Sequence, residues 1–259
     1  MHYIRTILSH KIRLLISPKT IEEAKIIVAN QIDYIDCKNP DEGSLGANFP
    51  WIISEMKKLI PPESSQLLSA TIGDFPNLPG SASLAALGAA VSGADIIKVG
   101  LKGPNNERTG IELMKKVVKA VKDYKTDIKV VVAGYADRIR MNSSPEFMSI
   151  PSIALESGAD IAMLDTFIKD KKGLFDFLSK DQLVQVKEKA KESDLEVALA
   201  GNLRKKDIPL LIEISPDIIG VRSVVCEGYD RLNGSIKSEL IEDLKAELSN
   251  YYQENLNIV

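Results

Sequence analysis

The sequence predicts one (β/α)8 barrel, and three observations carry that expectation. Short β-branched runs alternate with longer amphipathic stretches from end to end, the pattern of a parallel sheet with crossover helices. About eight strand–helix units fit into 259 residues, the size of a closed eightfold barrel. A short motif also recurs at a nearly constant interval, as it does in regular arrays. An open, doubly wound sheet is the rival reading of the same alternation. No Pro-, Gly- or Ser-rich linker divides the chain. Residues 13–250 are therefore assigned to a single barrel, 1–12 to an N-terminal extension and 251–259 to a C-terminal tail.

Taken in order, strands are expected at RLLIS (13–17), YIDCK (34–38), LLSATIG (67–73) and IIKVG (96–100). Four more follow at KVVVAGYA (129–136), IAMLD (161–165), EVALAG (196–201) and IIGVR (218–222). Most are short and rich in Ile, Val or Leu, as strands buried on both faces are. Helical spacing of apolar residues appears in KTIEEAKIIVAN, FPWIISEMKKLI, ASLAALGAAVSG and GIELMKKVVKAVKDY, after the first four strands in turn. It returns in SKDQLVQVKEKAKES and RKKDIPLLIEIS, and IKSELIEDLKAELSNYYQ closes the pattern. No helix is assigned between the fifth and sixth strands.

The recurring motif is NQIDYIDCK, SGADIIKVG, SGADIAMLD and ISPDIIGVR, aligned without gaps on Asp33, Asp95, Asp160 and Asp217. Its spacing is that of two strand–helix units, so it picks out every second strand. Gly93 and Gly158 suit the left-handed residue that follows a helix end. Side chains alternate along a strand, and alternate strands of a barrel fill the same interior layer. Asp36, Lys98, Met163 and Gly220 should therefore share one tier. Lys38, Gly100, Asp165 and Arg222 should share the tier above, nearer the C-terminal mouth where barrel enzymes place their chemistry.

Asp36, Lys38, Lys98 and Asp165 thus place four charges on inward positions of three strands. A structural ion pair is the plain alternative, but buried pairs stabilise weakly after desolvation and a core rarely holds several. Both histidines, His2 and His10, lie in the N-terminal extension. Acid–base work in the barrel therefore falls to lysines and carboxylates, and a His-ligated metal site is not expected there. A partly buried lysine among other cations loses its proton more readily than its reference value of about 10.4 allows. Its neutral amine can attack a carbonyl and form a Schiff base, which is class I aldolase chemistry. In FIKDKKG, Lys169 is close enough to the sixth strand to take part, whereas Lys171 and Lys172 read as solvated.

The loops after the seventh and eighth strands, AGNLRKKD and GVRSVVCEGYDR, occupy the common phosphate cradle of such barrels. Gly201 and Asn202 permit close backbone approach, and Arg222 can pair with a phosphate, with Ser223 beside it. No P-loop or dinucleotide fingerprint is present. A net charge of -3 argues against a nucleic-acid partner. No apolar run approaches the roughly 20 residues of a membrane span, so no membrane partner is expected. Two cysteines, Cys37 and Cys226, make no disulfide framework and suit a cytoplasmic protein. A homo-oligomer is compatible with all of this.

The segments LLISPK, DCKNPDEGSLGANFPW, LSATIGDFPNLPG, LAALGAAVSGADIIKVGL, VVVAGYAD, AMLDTFIKDKKGLFDFL, ALAGNL and DIIGVR closely resemble one family. It is the (5-formylfuran-3-yl)methyl phosphate synthase family, and the resemblance runs from about Leu14 to the last helix. It implies a cofactor-free and metal-free barrel that joins two glyceraldehyde 3-phosphate molecules into a furan phosphate, a precursor of methanofuran, with loss of one phosphate and water. It also implies that Lys38 is the Schiff-base lysine and Lys98 the proton-transfer lysine. Asp36, Asp165 and Lys169 match the family's remaining site pattern, with no departure at these positions. The CEGYDR segment looks more variable and is left out of the site. A different triose-phosphate aldolase, or a barrel that only binds a sugar phosphate, are the other readings.

Overall fold

The computed structural model describes residues 11–256. Both histidines and nearly all of the expected N-terminal extension lie outside the described residues. The strands are β1 (Arg13–Ile16), β2 (Tyr34–Cys37), β3 (Leu67–Phe75), β4 (Ile96–Leu101), β5 (Lys129–Tyr135), β6 (Ile161–Asp165), β7 (Glu196–Leu199) and β8 (Ile218–Val221). The helices are α1 (Ile21–Ala29), α2 (Pro50–Leu59), α3 (Pro79–Val91), α4 (Glu107–Tyr124), α5 (Ile150–Ser157), α6 (Lys180–Lys191), α7 (Ile208–Ile214) and α8 (Ser238–Leu256). The strands pair in sequence order and in parallel, and β8 returns to β1, closing a single barrel. The open-sheet rival is thereby excluded.

Local chemistry explains the elements. In α4, Leu113, Met114, Val117, Val118 and Val121 form a buried stripe at helical spacing. Asn106 accepts from the Thr109 amide at 3.0 Å and caps that helix. Ser179 does the same for α6. The helix α5, not assigned from the sequence, has only eight residues with Pro151 in its first turn. Nearly all of it is apolar or small, so it shows no clean polar face. It ends on Gly158 in the left-handed region at φ 75°, as expected from the motif. The final helix continues through Leu256, past the boundary placed at residue 250. Among the described residues no helix is long and apolar enough to cross a membrane.

The fourfold motif has a physical role at the lower end of the barrel. Each anchor aspartate accepts a backbone N–H from the strand before its own. Asp33 takes Leu14, Asp95 takes Leu68, Asp160 takes Val130 and Asp217 takes Val197, at 2.7–2.8 Å. Their carbonyls accept from the first residue of the next odd strand, as Lys129 N donates to Asp95 O. Two residues before each anchor the chain turns through positive φ, at Gln31, Gly93, Gly158 and Ser215. The repeat is thus a stitch between neighbouring strands. Asp95→Ala, which also strands the Lys57 ammonium 2.6 Å away, is expected to lower stability by about 1–3 kcal/mol, read as a lower urea midpoint; an unchanged midpoint would refute the stitch.

One apolar layer lies between sheet and helices, and a second fills the barrel. Inside, Tyr34, Ile96, Ile161 and Ile218 pack as one tier on the even strands. The next positions inward along those strands are Asp36, Lys98, Met163 and Gly220, in the predicted order. Apolar packing gives way to charge one step below the mouth.

Candidate active site

The site is built on the upper ends of β2, β4 and β6. Asp36 and Lys98 are each only 1% exposed. Lys98 Nζ donates to Asp36 Oδ1 at 2.7 Å, and Ser17 Oγ, just past β1, donates to Asp36 Oδ2 at 2.8 Å. Across the mouth, Lys169 Nζ donates to Asp165 Oδ1 at 2.6 Å. Lys38, one residue beyond β2, stands between the two pairs. Its Nζ makes no hydrogen bond with any described residue, and Asp36 Oδ2 lies 3.8 Å away. All five side chains line one inner recess. The structure therefore brings together every sequence-predicted charged residue, and leaves one lysine without a hydrogen bond to any described residue.

Electrostatics separates the lysines. Burial pushes the Lys38 ammonium down to about 8; Lys169 and Lys98 add to that, and the Asp36 and Asp165 carboxylates oppose it. Burial also lowers Lys169, against the pull of its bonded partner Asp165. Asp36 and Asp165 resist ionisation through burial, but their lysine neighbours outweigh it and hold both below the usual carboxylate range. Lys98 and Lys169 are each hydrogen-bonded to a carboxylate, whereas the Lys38 amine is not.

The loop after Lys38 explains why its sequence is so distinctive. NPDEGSLGAN folds back on itself, with Asn39 N donating to Gly46 O at 2.9 Å and Asn48 Nδ2 to Lys38 O at 3.3 Å. A Cβ at Gly46 would collide with the Asn39 carbonyl oxygen and the Glu42 backbone. Thr71 Oγ1 also donates to Gly46 O, and the Asp74 carboxylate receives Leu45 N. Asp74 is itself held by the Tyr135 hydroxyl, which donates to Oδ1; burial first, then Asp74, raises that hydroxyl well above its ordinary value. Asp137, in VVVAGYAD, accepts Phe167 N and Ile168 N at 2.5 and 3.0 Å and so sets the turn that carries Lys169. Ser17, Asp74, Tyr135 and Asp137 were not singled out from the sequence. The inward alternation of β1 and β5 extends to Ser17 and Tyr135 and is the signal that could have found them.

Gly201, Asn202, Arg222 and Ser223 all line the recess, opposite Lys38. Gly201 and Asn202 both have positive φ, and the N–H groups of Asn202 and Ser223 donate to no described residue. Two free amides on different loops of one recess offer an anion a pair of backbone donors. Arg222 differs from the expectation. Its Nη1 donates to Ser17 O and Glu23 Oε2, both at 2.8 Å, its Nη2 to Glu23 Oε1 at 3.2 Å, and its Nε to Arg231 O at 3.1 Å. A guanidinium so engaged, beside a buried carboxylate, ties three loops together and has little left for a phosphate. Arg231, in the CEGYDR segment left out of the site, lines the same recess. Among the described residues, no three or more His, Cys, Asp or Glu side chains cluster as a metal site.

Comparison with known proteins adds a family. Residues 14–245 match the family described as 4-HFC-P synthase. A (5-formylfuran-3-yl)methyl phosphate synthase of Methanocaldococcus jannaschii is 53% identical over 232 residues, 90% of this chain and 97% of that protein. The protein of that name from Methanosarcina barkeri is 52% identical over 91% of this chain and 98% of its own length, and that from Methanopyrus kandleri is 45% identical over 92% and 99%. Solved structures with the same architecture include KGPDC from Streptococcus mutans, with a TM-score of 0.63 at 16% identity, covering 92% of this chain and 98% of that one. A 3-hexulose-6-phosphate synthase matches with a TM-score of 0.63 at 17% identity, covering 92% and 100%. Those two likenesses show the barrel fold alone.

Proposed function

The chain belongs to the (5-formylfuran-3-yl)methyl phosphate synthase family of enzymes, and from that premise we propose that it condenses two molecules of glyceraldehyde 3-phosphate through an imine on Lys38. The observation that carries this reading is the state of Lys38. It is buried, makes no hydrogen bond with any described residue and is pushed down to about 8, while the other two lysines of the site are each hydrogen-bonded to a carboxylate.

The Lys38 amine adds to the aldehyde carbon of one triose phosphate and, after loss of water, forms the imine. The imine acidifies the neighbouring C2 proton. Lys98 with Asp36 lies on one side of Lys38 to take and return protons. As the C2–H electron pair forms C2=C3, the C3–O bond breaks and phosphate leaves with its electron pair. The resulting enol carries a nucleophilic carbon for bond formation with the second molecule. Lys169 and Asp165 are placed to assist that addition and the dehydrations that close the ring. Hydrolysis of the imine releases product and restores Lys38. The balance is two triose phosphates in, and one furan phosphate, one phosphate and two waters out, with no oxidant or reductant. We read the product as a precursor of methanofuran and the reaction as cytoplasmic; the two buried, unpaired cysteines suit a reducing compartment.

Incubation with glyceraldehyde 3-phosphate alone tests this, with the furan aldehyde followed by ultraviolet absorbance and mass. An aldol without a furan would favour another triose-phosphate aldolase. Absence of both product and borohydride-trapped adduct would leave only a binding barrel.

The pH dependence has a definite sign. Lys38 reacts as the neutral amine, so the trapping rate should rise with pH and level off above about 8. Below that it should fall by about tenfold per unit. A flat profile from about pH 6 to about pH 9 would contradict the assignment of Lys38.

A further inference from the structure

The reading of two triose phosphates brings two phosphates into one barrel mouth, and the inference here rests on it. The free backbone amides of Asn202 and Ser223, on two loops of the recess, offer a seat for one of them. Arg231 has the properties of a second. Its guanidinium makes no hydrogen bond or ion pair with any described residue. Burial lowers its proton affinity, the nearby Arg222 adds to that, and Asp165 opposes it. A cation partly stripped of water and left without a partner is unfavourable until an anion reaches it.

The position is built rather than incidental. Arg231 O accepts Arg222 Nε, and Lys19 Nζ donates to Leu232 O at 2.9 Å. The Asp230 carboxylate receives Leu232 N and Asn233 N at 2.8 and 3.2 Å. Glu23, the partner of Arg222, also accepts Ile236 N from the far side of the same loop. The backbone at Arg231 is therefore fixed on three sides while its side chain is free.

Arg231 also stands at a boundary. Besides the inner recess, it lines an adjoining outer chamber whose wall includes Lys19 and Leu232. Lys38 and Lys169 line both spaces. A substrate in each space would meet the other at these lysines. We propose that Arg231 is the seat of the second phosphate: one triose phosphate lies in the inner recess with its phosphate on the Asn202 and Ser223 amides, and the other occupies the outer chamber with its phosphate on Arg231.

Titration with inorganic phosphate tests the seats without requiring turnover. Calorimetry should find two phosphates per chain in the parent protein and one in Arg231→Met, whose side chain removes no bond that holds the fold. A parent that binds one, or a variant that still binds two, overturns the proposal. Kinetics with glyceraldehyde 3-phosphate gives a second reading. In Arg231→Met the borohydride-trapped adduct on Lys38 should form at unchanged substrate concentration. The concentration that half-saturates furan formation should rise about ten- to a hundredfold, with part of the loss recovered in Arg231→Lys. If adduct and furan fall together, Arg231 serves the first molecule and the assignment is wrong. If two phosphates bind and one is lost in the variant, yet the parent makes no furan, the seats stand and the condensation reading fails.

Discussion

Lys38→Arg is expected to abolish the borohydride-trapped adduct and to lower furan formation by at least about a thousandfold. Arginine keeps the positive charge but offers no amine that loses its proton near neutral pH. The substitution therefore separates nucleophilic chemistry from electrostatics. Asp36 would still be paired with Lys98 at 2.7 Å and bonded to Ser17, and Asp165 with Lys169, so the rest of the site has reason to persist. The larger guanidinium has somewhere to go, because Lys38 faces both the recess and the outer chamber. A melting curve like that of the parent would show that the fold is intact. Persistence of the adduct in this variant would remove Lys38 from the covalent role.

Lys98→Arg should behave differently, with some adduct retained and product formation lowered by about a hundredfold to ten-thousandfold, the range of a lost proton-transfer group. Lys98 is 1% exposed and sits one tier below Lys38, against Asp36. It is better placed to pass protons than to meet the carbonyl first. Its burial means that arginine must be accommodated by overpacking, at a cost of roughly 1–3 kcal/mol, so folding must be checked beside activity. Lys98→Met is the informative contrast. It keeps the volume and removes a cation near Lys38, leaving Lys38 as the nearest cation to Asp36, which still accepts from Ser17. The trapping profile should then shift to higher pH, because one influence that lowers Lys38 is gone and the carboxylate that raises it is unshared. If the trapped mass maps to Lys98 and Lys38→Arg still forms it, the two roles are exchanged.

Much of this was legible in the chain. Eight β-branched runs marked all eight strands, because strands buried on both faces must be apolar throughout. The alignment on Asp33, Asp95, Asp160 and Asp217 carried the inward parity with it, since side-chain direction along a strand has a period of two. From that parity Asp36 and Lys98 fell in one tier and Lys38 and Asp165 in the next, without a coordinate. What the anchor aspartates do was less visible. Their bonds run to the preceding strand, and no local pattern announces a partner 19 to 30 residues away. Helix α5 escaped because eight largely apolar residues between two strands show no amphipathic period.

The sequence by itself determined the eight strands, the parity of the interior and the family to which the chain is kin. Each follows from short-range periodicity or from a contiguous motif such as the run from Lys38 to Trp51. Closure of the sheet was settled by the pairing of β8 with β1. Only the tertiary structure decided which cations are free. Arg222 and Arg231 look alike on paper, and Arg222, at the end of a strand, is the more inviting. In the fold, Arg222 meets Glu23, 199 positions away, together with the Ser17 and Arg231 carbonyls, and four of its five donors are engaged there. Arg231 meets no such partner and faces the cavity. Lys38 is distinguished from Lys98 and Lys169 in the same way, by what its ammonium does not touch. Hydrogen-bonding capacity is a fixed number of donors per side chain, and it is shared out by contacts between segments far apart in the chain. Local sequence sets how many donors a residue has; the closed barrel sets how many are left for a substrate.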